Sequence, residues 1–352
     1  MADVFTHPWL GGLFGDAVTE TALGPQHQMA AMLAVEKAHA AARHAAGEIS
    51  DAAAAAVAAV LDGPQPDMAA LREGAGQDGM VVPALIRQLR ARLPERFQAA
   101  LHSGLTSQDV IDSAFALSLV PVFDAFADRL ARLAAGLDDL SDRHGANHLM
   151  GRTRMQAALP IRVADRIAVW RMPLAGLTDR LTAARAQVAI LSAGGPVGTG
   201  LPDAVARDMA DRLGLALPPR APHAMRTDLA AFAATLSLIT GALGKIGQDV
   251  ALMAQQGIDE VELTSGGTSS AMPHKTNPIR AELLITLARF NATQLSGMHH
   301  AIVHEQERSG AAWTLEWMLL PQMIRATGAS LLAALALTGE VRRIGQPDGV
   351  PS

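Results

Sequence analysis

The sequence predicts an all-α protein built around a bundle of long helices, and three observations support this prediction. Aromatic residues make up only 3% of the chain and tyrosine is absent, so the residue types that favour β-sheets are scarce. Alanine and leucine, which favour helices, are abundant. Apolar residues also recur at alternating steps of three and four along three stretches, which is typical of helices that pack side by side.

The three apolar stripes predict three long helices. They run from Phe126 to Leu140, from Val163 to Leu191 and from Leu229 to Met253. Helices of roughly 40 Å, at ~1.5 Å per residue, extend beyond one small globule, so we expect their apolar stripes to meet other subunits as well. The sequence therefore predicts a homo-oligomer.

The first hundred residues have a different pattern, with shorter helices separated by glycine and proline. Helices are predicted over 26–46, 51–61 and 81–93. We place a smaller N-terminal helical domain at 1–100, the central long-helix bundle at 101–340 and a Gly/Pro-containing tail at 341–352.

Composition argues against several classes of function. The 352 residues carry 29 Lys plus Arg against 34 Asp plus Glu, and this net charge of -5 predicts no nucleic-acid partner. With no cysteine, disulfides and thiolate metal sites are excluded. The N-terminus lacks a secretory pattern, and the uncharged stretch 229–244 falls short of the ~18 apolar residues of a membrane span. We expect a soluble cytoplasmic protein without a membrane partner.

The most unusual part of the chain is a Gly/Ser/Thr-rich stretch, 264–278, which we call the third segment. Asn277 and Pro278 form a standard N-cap and first-turn pair, so a flexible loop that caps the next helix is one interpretation. The alternative is a receptor for a carboxylate or a developing enolate, in which N–H groups at the helix start act with Lys275 and the Asn277 amide.

Two more segments place polar residues next to predicted helices. In the first segment, 102–109, Thr106 and Asp109 have the spacing of a capping box, which taken alone favours a structural role. The second segment, 151–160, has two arginines, including Arg154, that either bind anions or pair with surface acids.

Taken together, the three segments resemble the fumarase/aspartase superfamily, in which three separated regions from different subunits converge on one active site. Residues 269–278 are similar to the superfamily signature, with Thr268 where members usually have glycine. The first segment resembles the form found in the adenylosuccinate lyase and cycloisomerase branches. The resemblance covers about residues 5–340, and further matching positions are Met32, Glu36, His223 and Arg226.

The resemblance implies a reaction at the bond β to a carboxylate, through a carbanion stabilised as the aci-carboxylate. Ser269 would exchange the proton at the α-carbon, and because a serine hydroxyl is a weak base, Lys275 would stabilise its oxyanion. Glu282 and His102 are implied as further catalytic residues. Neither a cofactor nor a metal is implied, and the histidines at 299, 300 and 304 are expected at the surface. The implied substrate-binding residues are Thr106, Ser107, Arg154, Gln156, Ser270, Met272, Asn277, His223 and Arg226.

Two departures from the superfamily pattern narrow this expectation. Many of its lyases have a histidine where this chain has Arg154, and a guanidinium does not deprotonate in proteins. Arg154 is therefore expected to pair with Glu282 or to bind an additional carboxylate, which suits the cycloisomerase branch and its tricarboxylate substrate. The sequence is also expected to lack the small C-terminal domain of the superfamily, either natively or by truncation. The alternatives are a fumarate-releasing lyase, such as an adenylosuccinate lyase, and a catalytically silent helical scaffold.

Overall fold

The computed structural model describes residues 3–264, 267–268 and 276–347. Over this part of the chain the protein is predominantly helical, as predicted. The N-terminal helices are α1 (Gly11–Phe14), α2 (Ala17–Ala22), α3 (Pro25–Ala45), α4 (Asp51–Leu61), α5 (Met68–Asp78) and α6 (Val82–Ala91), followed by a 3-10 helix at Glu95–Ala100. The three helices predicted here are confirmed within about two residues at each end.

Long helices form the rest of the architecture. They are α7 (Ser107–His144), α8 (Val163–Val188), α10 (Thr227–Met253), α11 (Ile279–His300) and α12 (Gly310–Glu340), with the shorter α9 (Asp203–Leu213) beside the N-terminal helices. The predicted stripes are confirmed as the packing surfaces. The apolar stripe residues between Phe126 and Leu140 and those of α8 are buried, and in the stripe of α10 only Leu229 remains partly accessible.

Short strands join the helices at one end of the bundle. Strands β1 (His148–Thr153) and β2 (Gln156–Arg162) form an antiparallel hairpin, β3 (Val261–Leu263) pairs with β6 (Val341–Ile344), and β4 (Gly267–Thr268) pairs with β5 (Thr276–Asn277). The hairpin was not predicted. Its turn has positive φ at both central residues, Arg154 (47°) and Met155 (67°), which suits the twist of a two-residue hairpin loop.

Apolar side chains gather in two clusters. One fills the bundle and includes Phe5 and Leu23, and the other lies among α3–α6 and takes in residues near Leu191 and Met209. Because both clusters draw on distant parts of the chain, they do not test a boundary at residue 100, and the predicted domain limits stay a prediction.

Three of the long helices, α7, α10 and α12, have the length and hydropathy of membrane spans. The estimate from 229–244 was too short, since the helix there extends over Thr227–Met253. Between 50% and 61% of each apolar stretch is buried within the protein itself. Packing of the bundle thus accounts for much of this apolar character.

Candidate active site

The three segments lie at two opposite ends of the bundle. The first segment opens α7, whose 38 residues span ~57 Å at 1.5 Å per residue. The second segment forms the hairpin beyond the other end of α7. The third segment reaches the hairpin end too, because Thr264 N donates to Glu340 O and Arg280 pairs with the Glu340 carboxylate at 2.8 Å. One copy of the chain therefore does not bring the first segment to the other two.

Asp109 organises the first segment. The predicted capping box is confirmed, with Asp109 Oδ2 accepting the Thr106 N–H at 3.0 Å. The same fully buried carboxylate accepts the N–H groups of Gly194 (2.7 Å) and Gly195 (2.9 Å). Asp109 thereby ties the start of α7 to the loop between α8 and α9, and it positions Thr106 and Ser107 at the helix N-terminus.

His223 lies in the same buried contact. Its Nε2 is 2.8 Å from Asp109 Oδ1 and 3.0 Å from the Ser192 hydroxyl, and the residue is only 3% exposed. The imidazole also packs closely on Gly194, where a Cβ atom would lie 2.4 Å from His223 Cε1. In this position His223 helps to hold Asp109 and the loop between α8 and α9 in place. Direct contact of His223 with a substrate stays a prediction.

Arg226 forms a buried ion network with two acids. Its guanidinium is 2.7 Å from Asp112 and, in a two-pronged contact, 2.7 Å from Glu316. Burial opposes the charged form, but Asp112 and Glu316 together raise the pKa of Arg226 above its ordinary value. Burial also raises the pKa of Glu316, although Arg226 opposes that shift. The network lies at the wall of a cavity of about 400 Å³ between the N-terminal helices and the bundle, and substrate binding by Arg226 stays a prediction.

The expectation of surface histidines holds for two of three. His299 and His300 are exposed at the end of α11. The side chain of His304 is fully buried, 3.5 Å from Glu316, so its placement at the surface was wrong. The loop after α11 turns His304 inward against the acidic network. No cluster able to hold a metal ion occurs among the described residues.

His102 lies at the start of the first segment and faces the N-terminal helices. Its Nδ1 is 2.6 Å from Oε1 of Glu36, a fully buried carboxylate on α3. His39 lies one turn further along α3, and burial, together with the charges of Arg43 and His102, lowers its pKa to about 3. This cluster thus contains one histidine that is neutral in the folded protein and one that is paired with an acid.

The buried His39 predicts an acid-dependent loss of stability. Between the unfolded value of 6.5 and the folded pKa of about 3, the unfolded chain binds a proton that the folded chain does not. Stability from this group is therefore present above pH 6.5 and falls by about 1 kcal/mol per pH unit as the pH drops through that window. We expect His39→Gln to flatten the slope in urea unfolding, whereas His27→Gln on the same helix serves as control. An unchanged slope in His39→Gln would contradict the assignment.

The second segment presents exposed side chains. Arg154 and Gln156 lie at the tip of the hairpin, and both are solvent-accessible, while Arg152 anchors the hairpin to Glu260 at 2.7 Å. Within the described ranges Arg154 forms no ion pair with Glu282, which is exposed in the first turn of α11. Pairing of Arg154 with Glu282 of another copy, and carboxylate binding by Arg154, both stay predictions.

Much of the third segment lies outside the described residues, including Ser269, Ser270, Met272 and Lys275. Asn277 is half-buried in β5 and pairs with Gly267. Its prediction as an N-cap was wrong, because its backbone belongs to the strand and α11 begins at Ile279, after Pro278. Asn277 lies two residues before the start of α11, close to the helix N-terminus where the carboxylate-receptor interpretation places its amide.

Three hydrogen bonds made by Arg308 and Gln108 at the first segment were not anticipated. Arg308, from the loop before α12, donates to Gln108 Oε1 at 3.0 Å and to the Pro196 carbonyl at 3.3 Å. Gln108 in turn donates to the His223 carbonyl at 2.9 Å. A lone arginine in a charged loop gives no spacing pattern, so nothing in the sequence singled it out.

Comparisons with known proteins agree with this architecture. A family model described as Lyase matches residues 8–292. The 3-carboxy-cis,cis-muconate cycloisomerase of Pseudomonas aeruginosa is 34% identical over 96% of this chain and 76% of its own length. A nitrosuccinate lyase of Streptomyces davaonensis is 33% identical over 91% of this chain and 72% of its own.

A solved structure is similar over nearly the whole fold. The crystal structure of 3-carboxy-cis,cis-muconate lactonizing enzyme from Pseudomonas putida superposes with a TM-score of 0.89 at 29% identity. The match covers 96% of this chain and 77% of that chain. The predicted fold class is confirmed by this likeness.

Proposed function

The chain belongs to the lyase family of the fumarase/aspartase superfamily, and from that premise we propose that it is an enzyme that lactonises 3-carboxy-cis,cis-muconate to carboxymuconolactone. The observation that carries the proposal is the cycloisomerase relative, which is 34% identical over 96% of the chain. Arg154 in place of a histidine supports the same branch. The reaction would serve protocatechuate breakdown in the cytoplasm.

The proposed reaction is an intramolecular addition. One substrate carboxylate attacks the conjugated alkene, the electron pair moves into a neighbouring carboxylate as an aci-carboxylate, and a proton is added at the α-carbon. The trianion gains one proton and becomes a lactone with two carboxylates, so no fragment leaves. The carbanion is the unstable species, and the protein must stabilise its negative charge.

Three residues of the third segment provide that chemistry in this proposal. Ser269 supplies the proton, and Lys275 and Asn277 hold the carboxylate that receives the electron pair. Ser270 and Met272, which belong to the same segment of the sequence, are proposed to bind the substrate. A positive side chain and N–H donors placed where charge develops lower the energy of such a transition state.

The first and second segments bind the remaining carboxylates. The N-terminus of α7 offers Thr106, Ser107 and the partial positive charge of a long helix to an anion. Arg154 and Gln156 at the exposed hairpin tip bind another carboxylate. Because a guanidinium cannot exchange a proton, Arg154 acts here only as an anion ligand.

The site is proposed to form between copies of the chain in a homotetramer. The first segment lies ~57 Å from the hairpin end along α7, too far for one substrate to touch both. Exposed apolar residues on the outer faces of the bundle, such as Met172 (78% exposed) and Met318 (61%), support further helix packing there. Antiparallel packing of two copies would bring a first segment to the hairpin end of its neighbour.

Ultraviolet absorbance of 3-carboxy-cis,cis-muconate tests the function. With purified protein we expect the conjugated-diene signal to decay without release of fumarate. The similarity to a nitrosuccinate lyase makes a lyase the second candidate, so nitrosuccinate, adenylosuccinate and argininosuccinate serve as parallel substrates. Stable muconate absorbance together with turnover of any of these three would overturn the proposal in favour of the lyase.

A further inference from the structure

Glu36 has a buried carboxylate with one hydrogen-bond partner among the described residues. It lies on α3 with 0% exposure, and its Oε1 is 2.6 Å from Nδ1 of His102, 66 residues further along the chain. Its Oε2 is buried and has no hydrogen-bond partner within the described ranges. A buried acid is costly unless its charge is paired, so the His102 ring is the group that compensates it.

The other charged and titratable groups of this cluster leave that pairing intact. His39, on the same helix, has a pKa lowered to about 3 by burial, Arg43 and His102, and therefore adds no positive charge. Arg43 is engaged elsewhere, with Glu48 at 2.9 Å and with backbone carbonyls of the 3-10 helix. The Glu36 carboxylate thus has the His102 ring as its direct counter-group.

The backbone at His102 is held in an uncommon conformation. Its φ is +65°, in the left-handed region, and Gly104 follows with φ +91°. Such a conformation costs energy in a residue with a side chain and persists where the surroundings enforce it. The ring keeps 15% exposure, and among the described residues only its Nδ1, not its Nε2, forms a hydrogen bond. With Nδ1 fixed on Glu36, Nε2 is the nitrogen directed away from α3.

We propose that Glu36 is a positioning residue that holds Nδ1–H of His102 and so presents Nε2–H to a substrate carboxylate beside Thr106. An imidazole ring that carries a proton on each nitrogen donates two hydrogen bonds, here one to Glu36 and one to the substrate. The kinetic part of this inference rests on the proposed function. The same role explains why Glu36 on α3 contacts His102 in the first segment.

A double-mutant cycle separates positioning from a structural role. Glu36→Gln keeps the shape of the side chain and removes its charge, and we expect KM for the muconate to rise about 10-fold with a smaller change in kcat. His102→Asn, a residue type that tolerates positive φ, should raise KM at least as much. In the His102→Asn background, Glu36→Gln should have no further effect. Glu73→Gln, an exposed acid on α5, is the matched control.

If Glu36→Gln raises KM by the same factor in the unaltered protein and in His102→Asn, Glu36 only stabilises the fold. An unchanged KM in Glu36→Gln would also overturn the proposal. Ring-nitrogen NMR of His102, assigned by the signal missing in His102→Asn, gives a readout that needs no turnover. We expect an Nδ1-bound proton in the starting protein and its loss or exchange broadening in Glu36→Gln. If the protein lacks cycloisomerase activity but shows this change, the proposed function fails and the positioning role stands; an unchanged spectrum refutes the positioning role.

Discussion

Replacing Ser269 by alanine is expected to lower turnover by ~100-fold to 10,000-fold, the range typical for loss of a proton-transfer group. Ser269→Ala removes only the hydroxyl group, which exchanges a proton in the proposed reaction. KM should therefore change less than kcat. The rate of diene loss, measured by ultraviolet absorbance, checks this directly. Ser141→Ala, on α7 outside the three segments, should keep the original rate.

The same variant also tests whether sites form between copies. At substrate concentrations well below KM each single variant is expected to keep at most about a tenth of the original rate. Mixing Ser269→Ala with His102→Asn by joint unfolding and refolding should raise that rate to about a quarter of the unaltered protein's, because random assembly gives that share of sites two intact contributions. Near-normal turnover in Ser269→Ala alone would rule out its assigned role. No recovery on mixing would contradict a site that joins the first and third segments of different copies.

Replacing Asp109 by alanine is expected to be the most destabilising single change described here. It leaves the N–H groups of Thr106, Gly194 and Gly195 and the ring of His223 without their acceptor, all in buried surroundings. Each unsatisfied buried donor costs ~1–3 kcal/mol, so a loss of about 4 kcal/mol is expected after local relaxation. The apparent Tm should fall by roughly 5–10 °C.

Activity should fall with stability in Asp109→Ala, because the carboxylate positions the helix start that binds the substrate. Asp208→Ala is the matched control: Asp208 forms an exposed pair with Arg212 four residues along α9, and such pairs contribute about 0.5 kcal/mol or less. A Tm within about 1 °C of the original for Asp109→Ala would show that the buried network is not what holds the first segment.

Helix periodicity made most of the fold predictable. The alternating apolar steps marked the buried sides of α8 and α10, and glycine and proline marked the ends of the N-terminal helices. The β1–β2 hairpin escaped prediction because its strand residues are largely exposed and lack an alternating apolar pattern. Its turn requires positive φ at Arg154 and Met155. Such turns usually contain Gly, Asn or Asp, so these two residue types gave no signal for a turn.

The site was predictable only where residues follow one another in the chain. The capping box of Thr106 and Asp109 is local, so its spacing revealed it. The contacts of Asp109 with Gly194 and of Glu36 with His102 join residues 85 and 66 positions apart, and no local pattern encodes them. For the same reason the inward turn of His304 was missed, since its burial depends on α12.

Product analysis by NMR in D₂O tests the central claim most directly. With 3-carboxy-cis,cis-muconate as substrate, we expect one lactone product that carries a single deuteron at the carbon α to a carboxylate, and no fumarate. This pattern requires both ring closure and protonation of a carbanion. Unchanged muconate, or a product released as fumarate, would contradict a cycloisomerase built on these three segments.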